Sequence, residues 1–80
     1  MSNLLDILLS MRDYIMNRVI ELRKEKNITQ EDLAKAVGVS RQTIIAIEKG
    51  NYIPSLMLGL KIARFFRKPM EEVFKYKYEK

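Results

Sequence analysis

At 80 residues the chain holds at most one small domain, and it has no cysteine or histidine to staple that domain or to bind zinc. The same absences remove thiol chemistry and most nucleophile–base arrangements, while 48% apolar and 31% charged residues describe a globular chain rather than a disordered one. A net charge of +5 favours a polyanionic partner, though only weakly.

Apolar residues recur at helical spacing almost throughout, which predicts an all-α fold. The opening run from Leu4 to Met11 is too short to span a bilayer, is interrupted by Asp6 and Ser10, and lacks the basic region of a signal peptide. A cytoplasmic protein with no membrane partner is therefore expected. The spacing predicts a long first helix from Asn3 to Lys26, with Met16-Asn17 as the point where it could break. Thr29 then caps a second helix, with Asp32 three residues on in capping-box position, and Gly38 ends it after Val37. Ser40 caps a third helix that ends near Lys49-Gly50. Pro54-Ser55 opens a fourth through Phe66, and Pro69 opens a short fifth through Phe74. In the tail, Lys75-Tyr76-Lys77-Tyr78 alternates charge and aromatic, which suits either a short strand or a frayed end.

The first helix, so drawn, carries two apolar stripes. Leu4, Leu8, Met11, Ile15, Val19 and Leu22 make one, and Leu5, Leu9, Met16 and Ile20 make the second beside it. A five-helix domain needs only Val19 and Leu22, so the surplus must be hidden elsewhere. A homodimer is the economical solution, with residues 1–16 as a helical extension and Leu4, Leu5, Leu8, Leu9, Met11, Met16 and Ile20 as the dimerisation residues. Residues 17–74 would form the domain proper and 75–80 its tail.

Between Gln30 and Lys49 the small and apolar residues are informative. Ala34 lets a neighbouring helix approach and Gly38 turns the chain. Val39, Ile44 and Ile47 give the third helix a core face beside Leu33 and Val37. Two short helices crossing steeply through a tight turn follow from this pattern. The helical wheel then sends Arg41, Gln42 and Ala46 outward, with Ile45 at the margin. An exposed Arg and Gln offer forked donors and acceptors that match guanine and adenine edges in a major groove, and Ala46 admits a thymine methyl. Ser40 and Thr43 carry short hydroxyls suited to phosphate oxygens. Alone, the pair Arg41-Gln42 would read as an ordinary solvated first turn; within this motif base readout is the better reading. Lys61, Arg64, Arg67 and Lys68 read as a solvated face.

The run TQEDLA, VGVSRQTI, IEKG, PSL, KIARFF and EEVF, from Asn17 to Phe74, resembles the Cro/C1-type (XRE) helix-turn-helix regulators. Within that family it is similar to the compact subfamily that includes the enterococcal cytolysin repressor. The resemblance implies a five-helix, lambda-repressor-like DNA-binding domain, usually a homodimer on a palindromic operator of double-stranded DNA. Carried over by position, Arg41, Gln42 and Ala46 face bases, with Ile45 beside them. Gln30, Ser40, Thr43, Lys49, Asn51 and Ser55 contact phosphates. Arg23 and Glu48 match a structural ion pair of the family. No cofactor, metal or small-molecule ligand is implied. The leading expectation is a transcriptional regulator acting as a repressor; the alternative is an antitoxin or co-regulator acting mainly through protein contacts. An enzyme is least favoured, since there is no phosphate-cradling glycine loop and little room for a cleft.

Overall fold

The computed structural model describes Leu4, Leu5 and residues 12–79. In chain order these form β1 (Arg12–Asn17), α1 (Val19–Glu25), α2 (Gln30–Val37), α3 (Arg41–Glu48), α4 (Leu56–Phe65), α5 (Met70–Val73) and β2 (Phe74–Glu79). Between Arg12 and Glu79 the fold is thus five helices with a two-stranded antiparallel sheet, which corrects the all-α expectation.

The correction falls on the first predicted helix. From Arg12 to Asn17 the chain is a strand, paired with the tail in the register Arg12↔Glu79 to Asn17↔Phe74, and the helix begins only at Val19. Tyr14-Ile15-Met16 fits a helical stripe and a short strand equally well, and so brief an apolar run cannot separate the two. The decision comes from a distant partner in the sequence, with Asn17 paired to Phe74 and Arg12 to Glu79: the alternating Phe74–Tyr78 segment supplies a complementary edge. The tail, left open between strand and frayed end, is that strand. Leu8, Leu9 and Met11, named for dimerisation, lie outside the described residues.

The helices start where side chains can satisfy their free N–H groups. Thr29 Oγ1 accepts from the Asp32 N–H at 3.0 Å while Asp32 accepts from the Thr29 N–H at 2.9 Å, the reciprocal capping box the spacing predicts. Ser40 and Ser55 cap α3 and α4 in the same sense, accepting from the Thr43 and Leu58 N–H groups. The first four helices end alike, each followed by a left-handed residue: Asn27, Gly38, Gly50 and Arg67. Gly38, at φ 78°, is what allows α2 to turn directly into α3, because a side chain resists that conformation.

The core draws on every helix. Val19 and Leu22 meet Leu33, Ala34 and Val37, then Ile44 and Ile47, then Leu58, Ile62 and Ala63, closed by Phe66 and Val73. Phe74, half-buried, continues this packing into the sheet. Two fully buried residues of α3, Ile44 and Ile47, fix which side of that helix faces inward.

Candidate nucleic-acid interface

With Ile44 and Ile47 in the core, the opposite face of α3 is turned outward. Arg41 and Gln42 are exposed, Thr43, Ile45 and Ala46 are half-buried, and Ser40 is exposed just before the helix. Ser40 Oγ and Thr43 Oγ1 lie 3.0 Å apart, so the two hydroxyls share one hydrogen and keep one for an outside acceptor. Gln30, at the start of α2, sits half-buried beside this first turn. At the far end of α3, Lys49, Asn51 and Ser55 are exposed. The outward residues thus run along one helix and onto the two capped ends that flank it.

A helix that is to be read into a groove must be held at a fixed angle, and two ties do this at the C-terminal end of α3. Arg23 donates from Nε to Glu48 Oε2 at 2.8 Å and from Nη2 to Oε1 at 3.3 Å, a forked ion pair. The Glu48 side chain is only 3% exposed, so little water competes for it. Arg23 also donates through Nη1 to the Ile28 carbonyl at 3.0 Å, which places the chain entering α2. The second tie is Asn17. Its Nδ2 donates to the Ile47 carbonyl at 2.9 Å and its Oδ1 accepts from the Val19 N–H at 3.1 Å. One side chain therefore joins the end of β1, the start of α1 and the end of α3.

Sequence reasoning did not assign Asn17 a role; an Asn two residues before a helix is a local capping signal, but its second bond to residue 47 has no local signature. It also left unremarked the exposed apolar surface of Leu56, Met57 and Leu60 on α4, next to exposed Ile53. Among the residues named for dimerisation, Leu4 and Leu5 are exposed, as are Met16 on β1 and Ile20 on α1.

Two capped helices crossing at Gly38, with the second one's polar face free and its base anchored, define a helix-turn-helix DNA-binding regulator. The chain belongs to the Cro/C1-type (XRE) helix-turn-helix family: the helix-turn-helix family model matches residues 19–73. It is 60% identical over 60 residues to an uncharacterized HTH-type transcriptional regulator of Methanocaldococcus jannaschii, covering 75% of this chain and 91% of that one. It is 35% identical over 57 residues to the cryptic phage CTXphi transcriptional repressor RstR of Vibrio cholerae, covering 71% of this chain and 51% of that protein. Among solved structures, the restriction-modification controller protein C.AhdI of Aeromonas hydrophila superposes with a TM-score of 0.65 at 34% identity, over 69% of this chain and 83% of that one.

Proposed function

We propose that the protein is a repressor that binds a palindromic operator as a homodimer, with residues 40–49 in the major groove. The observation that carries this reading is the outward pair Arg41 and Gln42 on a helix whose opposite face is locked into the core. Arg41, Gln42, Ala46 and Ile45 meet base edges; Gln30, Ser40, Thr43, Lys49, Asn51 and Ser55 meet phosphates. The repressor sense is supported by the likeness to RstR, a transcriptional repressor by name.

A homodimer sets two recognition helices about 34 Å apart, one turn of DNA. The two copies meet through Leu4, Leu5, Leu8, Leu9 and Met11, with Met16 and Ile20 joining them. The exposed Leu56, Met57 and Leu60 offer a second surface that two copies can bury. Sedimentation of a chain beginning at Arg12, which keeps β1, decides between them: a monomer places the contact in the first eleven residues. A persistent dimer that Leu60→Glu abolishes places it on α4.

Selection of bound DNA from a random pool tests the function itself. A two-fold symmetric consensus is expected. No enrichment would favour the second reading, an antitoxin or co-regulator that acts through protein contacts.

A further inference from the structure

The later halves of α2 and α4 lie side by side and enclose a groove of about 440 Å³. Its rim is cationic: Lys35 stands on α2, Lys61 and Arg64 stand on α4, and all three are exposed. Residues three apart on a helix share a face, so Lys61 and Arg64 form one edge together. Among the described residues no carboxylate lines the groove, and neither Lys61 nor Arg64 has an ion pair. Lys35 reaches Glu31 only at 3.9 Å, with both side chains open to water, so that pair holds it weakly. The floor is apolar. Val37 is buried, Phe65 is half-buried, and Ala36 and Gly38 add little bulk. At Gly38 nothing lies within 4 Å of the place a Cβ would take, so the groove stays open at that end. Phe65 is held edge to face against buried Phe66, with ring centroids 5.1 Å apart, and Lys26 places a further ammonium 5.6 Å from the Phe65 ring.

We propose that this groove docks a short acidic segment of another protein, one that carries a large apolar side chain between carboxylates. The rim sets the charge of the partner, because cations gathered without counter-charges favour an anion and reject a cation. The floor sets the rest. An apolar side chain laid on Phe65 and Val37 leaves water, while its flanking carboxylates meet Lys35 on one side and Lys61 with Arg64 on the other. Duplex DNA would satisfy the rim alone, since a phosphate backbone has no apolar group to set on a floor recessed below the cations. The side chains proposed to meet DNA also lie elsewhere. Gln30 and Ser55 stand at the starts of α2 and α4, and the groove uses the same two helices about one to three turns further on. It shares no residue with the proposed base and phosphate contacts, so the segment can be held while the protein sits on DNA. The domain then joins a DNA site to an acidic partner, whichever bases α3 reads. By sequence alone Lys61 and Arg64 are a solvated face; only folding brings Lys35 from a second helix to close the other side.

The full chain can be titrated with a short peptide that has a leucine between two pairs of aspartates. A matching peptide with glycine in place of the leucine tests the floor, and a short DNA duplex tests the rival polyanion. In amide spectra the leucine peptide is expected to shift Ala36, Val37, Gly38 and Phe65 while leaving Gln42 and Asn51 in place. The glycine peptide should bind roughly tenfold more weakly, as partial burial of one leucine side chain requires. Changing both rim residues of α4, Lys61→Glu with Arg64→Glu, should weaken the leucine peptide by about tenfold or more. Both positions are exposed, so the fold should survive, and the spectra of the unaltered protein locate the site without any variant. With the duplex present, the leucine peptide should shift the same amides to the same extent. Absence of these shifts would overturn the proposal, as would shifts that persist undiminished in the double variant. Equal binding of the two peptides would reduce the groove to an unspecific cationic patch and overturn it too. A duplex that shifts the groove amides itself and displaces the peptide would assign the surface to nucleic acid instead.

Discussion

Arg23 and Glu48, 25 residues apart, form a two-bond ion pair that is nearly shielded from water, with side-chain exposures of 14% and 3%. The pair fastens the last turn of α3 to α1, so the angle of the proposed reading helix is set from its back end. Removing one partner strands the other charge, and breaking a buried pair in this way costs about 3–5 kcal/mol. Urea unfolding of Arg23→Met and Glu48→Gln is expected to show losses of that order. A double-mutant cycle should give a coupling of about 0.5–3 kcal/mol. Strictly additive losses would mean that the two side chains act separately.

Asn17→Ala is expected to destabilise the domain by about 1–3 kcal/mol, because the Ile47 carbonyl loses its donor in a part-buried site. The same change frees the Val19 N–H at the start of α1. Amide exchange should therefore accelerate at both the β1–α1 junction and the end of α3. Acceleration at the junction alone would show that the bond to Ile47 carries no weight.

Arg67 sits at φ 56°, a left-handed conformation that a side chain disfavours, at the end of α4. Its position is closed by hydrogen bonds from the Arg67 N–H to the Arg64 carbonyl and from the Lys68 N–H to the Ala63 carbonyl. Arg67→Gly relieves the strain while adding backbone freedom to the unfolded chain, for a net gain of about 0.5–1 kcal/mol. Thermal unfolding checks this: a lower midpoint would mean that the arginine side chain contributes more than its backbone costs.

The Thr29 backbone N–H, and then its hydroxyl, hold the Asp32 carboxyl below the usual carboxylate range. A pKa lowered on folding contributes stability above the unfolded value and loses it as pH falls through the folded one. The start of α2 is therefore expected to fray in acid, and to be unaffected by pH between neutrality and the alkaline range. Amide exchange at Asp32 and Leu33 across an acid titration should show the change in the unaltered protein and not in Asp32→Asn.

Arg41→Ala is expected to relax base choice at one position of each half-site, at a cost of roughly 1–3 kcal/mol for the correct base. Lys49→Ala should instead weaken binding to all sequences alike and lower the salt dependence by about one unit of slope. An unchanged consensus for Arg41→Ala would place another residue opposite that base pair.

The sequence by itself determined the helix-turn-helix unit, because everything that specifies it is local. Thr29 with Asp32, Ser40 and Ser55 are caps read within four residues, Gly38 is the one residue type that turns there without strain, and Ile44 and Ile47 set the inner face of α3. The outward direction of Arg41 and Gln42 follows from the same few residues. Other features were decided only by tertiary structure. Arg12–Asn17 is a strand because Phe74–Glu79 lies alongside it, and nothing within the segment itself distinguishes strand from helix. The left-handed ends at Asn27 and Arg67 lack the glycine that marks those at Gly38 and Gly50, so they became visible only as backbone angles. Asn17 and Gln30 are ordinary polar residues until folding brings them against the Ile47 carbonyl and the Glu48 carboxylate. Hydrogen bonds between residues 18 and 30 positions apart leave no period in a sequence, because each depends on where two separate elements come to rest.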